Sequence, residues 1–293
     1  DNINVARTAT AVNFHGVRDV QGGISFPTDG PMETVDFGEL KFVGGTILLE
    51  GSTLTEIDFA GLNSVGQHLH LSWNHQLSSI NFGSLTTVGG LINLQRNAIK
   101  AVALCPLRHI GGYLDITFNG LTSISLCTLT HVGGSVLLNN NKLTAVTLAY
   151  LRIVGGSLQL HENELQSLLL GDLARVAGDL SLYNNQLTQL HLWSLGDVGG
   201  DVLLYRNNLT SLDVGWLESI GGDFFAYDNR LARLDFRALA SIGGCLNAHN
   251  NMLPSLDLGD LRHISSYIDL SNNRLTSFDF AGVTAVGGYI SLF

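Results

Sequence analysis

Ten asparagines return at a fixed phase, Asn74, Asn97, Asn119, Asn141, Asn163, Asn185, Asn207, Asn229, Asn251 and Asn273, with steps of 22 residues after one of 23. Each follows an apolar-x-apolar segment, and all but Asn74 precede another apolar residue two places on. A period in this range marks a solenoid, in which one short unit cannot bury its apolar face alone and must stack on copies of itself. A residue of Val or Ile before a glycine pair, or its equivalent, recurs at Val20, Val43, Val65, Val88, Ile110, Val132, Val154, Val176, Val198, Ile220, Ile242, Ile264 and Val286. The array therefore runs nearly from end to end, with no room for a second domain.

Within the unit from Val154, Leu158-Gln159-Leu160 and Leu168-Leu169-Leu170 each place their first and third residues on one face, the period of a strand. The asparagine lies in the turn between them, and a Leu such as Leu173 leads to the next glycine pair. Glycine at that corner is expected to serve positive φ and close backbone approach. Gln67, Ala177, Ser265 and Ser266 depart from glycine there. The asparagine amide has both a donor and an acceptor and is expected to satisfy backbone groups at its corner and reach the next rung.

The segment Leu180-Ser181-Leu182-Tyr183-Asn184-Asn185-Gln186-Leu187 resembles the signature of the leucine-rich-repeat superfamily, and the resemblance covers roughly residues 43–293. The glycine pair and the second Leu-x-Leu are similar to receptor L domains and fungal cell-wall relatives, and the 22-residue length to bacterial internalins. The resemblance implies an extracellular or cell-surface recognition module that binds through side chains projecting from the first strand, and it implies no chemistry. The expected fold is mainly β: an elongated, right-handed parallel β-solenoid of leucine-rich-repeat type, of about twelve rungs and low curvature. Residues 1–42 read as divergent rungs of the same solenoid, with Asp29 in place of the ladder asparagine and Pro27 and Pro31 bracketing a turn. Val12, Phe14 and Val17 match the second half of a unit, and Tyr289 to Phe293 stop on a first strand, so the chain is expected to be a fragment of a longer one.

A formal charge of −10, with Lys41, Lys100 and Lys142 as the three lysines, argues against a nucleic-acid groove, which needs clustered cations. No apolar stretch is long enough to cross a bilayer. Three cysteines are too few for a disulfide scaffold. Cys105 and Cys127 share a repeat position on adjacent rungs, where in-register Cβ atoms lie about 4.5–5.5 Å apart against about 3.5–4.5 Å in a disulfide, which leaves their bonding open. Cys245, at another phase, reads as a free thiol on the first-strand face.

Recognition should fall on outward positions that vary while the scaffold repeats. The column from Thr46, Leu48 and Glu50 through His68, His70, Ser72, Trp73, Tyr113, Asp115, Thr117 and Phe118 is rich in Tyr, Asp and His. Its sharpest constellation is Tyr183, Tyr205 and Tyr227 on successive rungs, with Asp179, Asp201 and Asp223 as a flanking acidic row, Phe225 and Arg206 beside them, and His161 and His249 in the same column. Tyrosine combines large contact area, low entropy cost and a polar tip, and Tyr and Arg dominate interface hot spots. Rungs about 4.8 Å apart would align these rings into one ridge. The bland alternative is a solvated strand face.

Other constellations are weaker. His68 and His70 with His75 lack an assured further zinc ligand, and Asp213, Asp235, Asp257 and Asp279 lack a loop to close on calcium; no metal or cofactor is expected. No Gly-x-Ser-x-Gly, phosphate-loop or His-Glu-x-x-His motif occurs, and a carboxylate pair such as Glu162 and Asp228 is the nearest thing to a glycosidase dyad. The chain thus reads as a non-enzymatic recognition or adhesion module for a protein or glycan ligand, without nucleic acid or membrane insertion. The alternative is an architectural spacer or self-assembling fibre or surface-layer component with end-to-end self-association. A threonine column (Thr55, Thr122, Thr144, Thr188, Thr210, Thr276) raises ice binding as a minor alternative.

Overall fold

Every turn of the chain closes a triangle of three short strands. A computed structural model describes residues 1–280 and 282–292; the final residue of the terminal strand expected from the sequence, Phe293, lies outside them. Contacts divide the chain into two units, Asp1–Leu143 and Thr144–Phe293, and each unit is a stack of parallel strands.

In the second unit the turn from Asp197 shows the pattern. A corner strand, Asp197–Val198, precedes the glycine pair; a front strand, Val202–Leu203, follows it; a back strand, Ser211–Asp213, comes after the asparagine turn. Each pairs in register with its equivalent 22 residues on: Val198 with Ile220, Val202 with Phe224, Leu212 with Leu234. The side chains of Val198, Val202, Leu204, Leu209, Leu212, Val214 and Leu217 are all at most 1% exposed, so the seven inward positions form the core of that turn. In the first unit a file of phenylalanines, Phe14, Phe37, Phe59 and Phe82, runs through the core with ring centroids 5.7, 4.9 and 5.9 Å apart.

The corner strand departs from the sequence expectation of two strands per turn. Two residues are too few to show an alternation, although their backbone pairs as a continuous parallel ladder. Among the described residues there are thirteen corner strands, six in the first unit and seven in the second, one more than the expected count of about twelve. Ile3–Asn4 also pairs with Ile24–Ser25, so a front strand precedes the half-unit recognised at Val12.

Glycine at the corner does one of its two expected jobs. None of the glycine pairs has positive φ; the requirement is close approach. A Cβ on Gly111 would fall on the carbonyl oxygen of Gly89, and one on Gly222 on the carboxylate of Asp201. Ala177 and Ser265 nevertheless occupy the first position of the pair. Positive φ occurs instead at the residue before the ladder asparagine, from Trp73 (61°) to Asn272 (54°). Asp29 belongs to this positive-φ class (57°), rather than replacing the asparagine that follows it in other turns.

The asparagines lie inside the turn. Asn207 Nδ2 donates to the carbonyl of Leu204 in its own turn (3.1 Å) and to Leu182 in the preceding one (3.0 Å), while its Oδ1 accepts from the N–H of Leu187 (3.1 Å). In the first unit Asn97 donates to Leu94 and Leu71 and accepts from Asn74 N–H. Ser52 stands where Asn would in its own turn, and both its N–H and hydroxyl donate to Asn74 Oδ1.

Cys105 and Cys127 are joined by a disulfide, Cα–Cα 5.0 Å, which resolves the bonding that spacing left open. Cys245 is a free thiol, and it is buried rather than exposed on the front face. Asn207→Ala is expected to leave the Leu187 N–H without its acceptor and to remove one of the two amide donors at the carbonyls of Leu182 and Leu204, which keep Asn185 and Asn229, at a cost of about 1–3 kcal/mol in urea unfolding. Asn207→Asp should cost at least as much, because it turns a carboxylate oxygen toward two carbonyls.

Candidate functional site

The front strand and the turn after it position three outward columns in the second unit. Asp179, Asp201 and Asp223 form the first, Ser181, Leu203 and Phe225 the second, and Tyr183, Tyr205 and Tyr227 the third. Alternation along an extended chain brings residues two apart onto one face. The acidic row and the tyrosines are therefore separated by the middle column, about 13 Å along the chain at 3.3 Å per residue, and the carboxylates do not flank the rings directly.

The rings stack. His161, Tyr183, Tyr205, Tyr227 and His249 follow one another at centroid separations of 4.4, 4.6, 4.6 and 4.7 Å, with planes within 10° of parallel. Two sets of backbone bonds hold them there. The residue after each ring donates its N–H to the ring residue of the next turn, as from Asn184 to Tyr205 O and from Arg206 to Tyr227 O, both 3.2 Å. The ladder amide adds a second contact to the same carbonyls, 3.2 Å at Tyr227 and 3.5 Å at Tyr205. Phe225 meets Tyr227 edge-on at 5.9 Å.

Stacking buries the phenols enough to hold them neutral. Burial pushes Tyr205 up to about 12, helped by its neighbours Tyr183 and Tyr227. Burial also raises Tyr183, with Glu162 adding to it, and raises Tyr227 against the opposing charge of Arg206. At the end of the row, burial lowers His161, partly offset by Glu162, and its Nδ1 has no hydrogen-bond partner among the described residues. His249 Nδ1 lies 2.7 Å from Asn247 Oδ1.

Beside the rings runs the positive-φ column, whose side chains bond from turn to turn. Asn184 donates to Glu162 (2.6 Å), Asn250 donates to Asp228 (2.8 Å), and Arg206 pairs with Asp228 at 3.7 Å. Glu162 and Asp228 stand three turns apart, about 14 Å at the strand spacing, beyond the about 5–9.5 Å that spans glycosidase pairs. The acidic row has structural duty as well: one oxygen of Asp179 accepts the N–H of Asp201, Asp201 that of Asp223, and Asp223 that of Cys245, at 2.7–2.9 Å. Cys245 Sγ also lies 3.1 Å from Asp223 Oδ1, and burial pushes the thiol up to about 11.

The remaining candidates are committed to the scaffold. In the first unit His68 Nδ1 accepts the N–H of Leu91 (3.1 Å), its ring meets His70 edge-on at 5.7 Å, and His70 lies 3.7 Å from Glu50. Asp115, Thr117 and Ser72 are buried between larger neighbours instead of projecting. In the second unit Asp213, Asp235 and Asp257 each accept an N–H two residues on, and Arg237 bridges Asp213 and Asp235. Among the described residues no group of three His, Cys, Asp or Glu is placed to hold a metal, and no helix is long and apolar enough to cross a membrane.

Sequence reasoning missed Arg96 and the exposed Trp193 and Trp216. Trp193 and Trp216 lie in the turn after the back strand, 61% and 64% exposed, outside the first-strand face on which attention centred. Their signal was bulk at two adjacent repeat positions, where the neighbouring turns carry Gly171 and Gly215 for Trp193 and Ser194 and Ala238 for Trp216.

Parallel strands in register, seven inward apolar positions and a buried asparagine ladder define each unit as a β-solenoid of leucine-rich-repeat type. No family model matches the sequence, nor does any curated protein. Among solved structures, the chain is similar to one in the Toll–Spatzle complex of Drosophila, at 15% identity and a TM-score of 0.46, over 93% of this chain and 44% of that one. It is also similar to an internalin of Listeria monocytogenes, at 13% identity and a TM-score of 0.36, over 88% and 80% of the two chains. YopM of Yersinia enterocolitica matches at 16% identity and a TM-score of 0.25, over 96% and 91%. The chain spans less than half the length of the Drosophila chain it matches.

Two measurements check the site. Free phenols ionise near pH 10, so the raised folded-state values make the ridge's contribution complete below about pH 10 and lost as pH climbs toward 12. The urea midpoint should fall over that window, and Tyr205→Phe, which keeps the ring and removes the ionisation, should shrink the fall. Cys245 should react with a thiol reagent only on unfolding, while Cys105 and Cys127 should react only after reduction.

Proposed function

We propose that the chain is a non-enzymatic recognition module that binds a protein partner through the front face of the second unit. The observation that carries this reading is the five-ring stack His161–Tyr183–Tyr205–Tyr227–His249. A sugar binds an aromatic side chain by lying on its face, and here the inner faces are occupied by neighbouring rings. What remains for a partner is a line of ring edges and neutral hydroxyls at a spacing of about 4.6 Å. Edges and hydroxyls suit the polar groups of a protein surface better than the flat face of a pyranose. The middle column adds Leu203 and Phe225, both half-buried, and the acidic row gives the face a polarity that would set the partner's orientation.

Rigidity supports the same reading. The rings are fixed before any partner arrives, so binding would order few side chains, the cost that most reduces interface affinity. The Cys105–Cys127 disulfide supports an oxidising location, such as the cell exterior, because cytosolic thiols are kept reduced.

The reading is tested by a binding screen against arrays of surface proteins and glycans, followed by the triple variant Tyr183→Ser, Tyr205→Ser, Tyr227→Ser. Protein capture by the wild-type chain, reduced at least a hundredfold in the variant with its far-UV spectrum unchanged, is the expected result. Unchanged affinity would remove the ridge as the site, and capture of glycans alone would replace the protein partner.

A further inference from the structure

The position before each ladder residue is left-handed in both units. In the second unit it holds Asn184, Asp228, Asn250 and Asn272 alongside Glu162 and Arg206. Asn and Asp enter that region more readily than other residues with a Cβ. In the first unit three successive turns place Trp73, Arg96 and Phe118 there, at φ 61°, 56° and 53°. Bulky side chains at such a position are outliers, and outliers of this kind concentrate at functional sites.

The three side chains form one object. The guanidinium carbon of Arg96 lies 4.5 Å from the ring centroid of Trp73 and 4.8 Å from that of Phe118, within the range of about 6 Å for cation–π attraction on both sides. Trp73 and Phe118 are 46% and 47% exposed, and Arg96 is exposed. Arg175, Arg206, Arg233 and Arg237 each pair with an aspartate. Arg96, like Arg108, Arg152 and Arg230, is in no ion pair among the described residues, and what sets it apart is the ring on either side. A guanidinium flanked on both faces keeps its N–H groups in the plane between the rings, the fork that receives a carboxylate through two parallel bonds. Its side-chain freedom is already restricted by the rings.

We propose that Trp73, Arg96 and Phe118 form a second docking site, which takes a segment of a protein partner that carries one Glu or Asp among apolar residues. A Glu or Asp carboxylate of that segment accepts from Arg96, and an adjacent apolar side chain covers the exposed ring edges. The charge pattern selects this occupant. A chain of formal charge −10 repels a polyanion, whereas one unpaired cation framed by apolar rings matches one carboxylate framed by apolar neighbours. The site belongs to the first unit and the tyrosine ridge to the second, and its test does not depend on that ridge.

The probe is an array of dodecapeptides in which a single Glu or Asp is flanked by Leu or Phe. Each is printed beside its Gln or Asn counterpart and beside sialylated and sulfated oligosaccharides. The full chain is expected to retain the acidic peptides over their amide counterparts. Arg96→Gln should lower the best peptide's affinity at least tenfold by fluorescence anisotropy, with its far-UV spectrum unchanged. Arg96→Lys, which keeps the charge without the planar fork, should fall between the two. Phe118→Ala should weaken binding at unchanged charge, and Tyr205→Ser should leave it unaltered. Equal retention of acidic and amide peptides, unchanged affinity in Arg96→Gln, or preferential retention of the oligosaccharides would each overturn the proposal.

Discussion

A primary amide at the corner of every regular turn, buried in all of them but those of Asn119 and Asn273, is the interaction on which the rest depends. An asparagine side chain carries two N–H donors and a carbonyl acceptor at fixed angles, and at Asn207 all three functions are used, two of them toward the preceding turn. Bending a chain this sharply exposes backbone groups that neither strand pairing nor water can reach. Leaving them unmet costs more than the bonds themselves contribute. No other side chain offers two N–H donors and an acceptor at so short a reach, and Ser52, which stands in for it in one turn, supplies a single donor and an acceptor.

Register is what converts a repeated sequence into a surface. Because each turn stacks at a constant phase, any residue type placed at one position becomes a line of side chains at the strand spacing. Aromatic rings at that spacing are already at stacking distance, so Tyr183, Tyr205 and Tyr227 need no further device to become a ridge. The same rule aligns Trp73, Arg96 and Phe118, where the charge sits between two rings. A helical surface, with its 3.6-residue period, would need a different spacing for every such line.

Phase was the legible part. The asparagine step located the turns, the inward apolar positions and the outward columns, since each follows from counting. Contacts that depend on which atom meets which were not legible. The glycine pair suggested unusual dihedrals, whereas its cause at Gly222 is a carboxylate from the preceding turn. Asp179, Asp201 and Asp223 looked wholly outward, yet each spends one oxygen on a backbone N–H. The corner strands, two residues long, carry no alternation to detect. Arg96 escaped notice because its turn was passed over, although Trp73 and Phe118, at the same position of the adjacent turns, stood in the outward column. The Cys105–Cys127 bond stayed open because the ordinary strand and disulfide Cβ ranges meet only at their edges.

The ladder amide also gives the chain a direction. Asn229 reaches back to Leu204 and Leu209, Asn251 to Ala226 and Leu231, and Asn273 to Ala248 and Leu253. Each turn is therefore finished by a residue that belongs to its successor. During synthesis, which delivers the amino end first, a turn leaves the ribosome with its corner unlocked and is secured only when about twenty further residues have followed. A chain cut between two turns would keep its last corner without the amide that closes it.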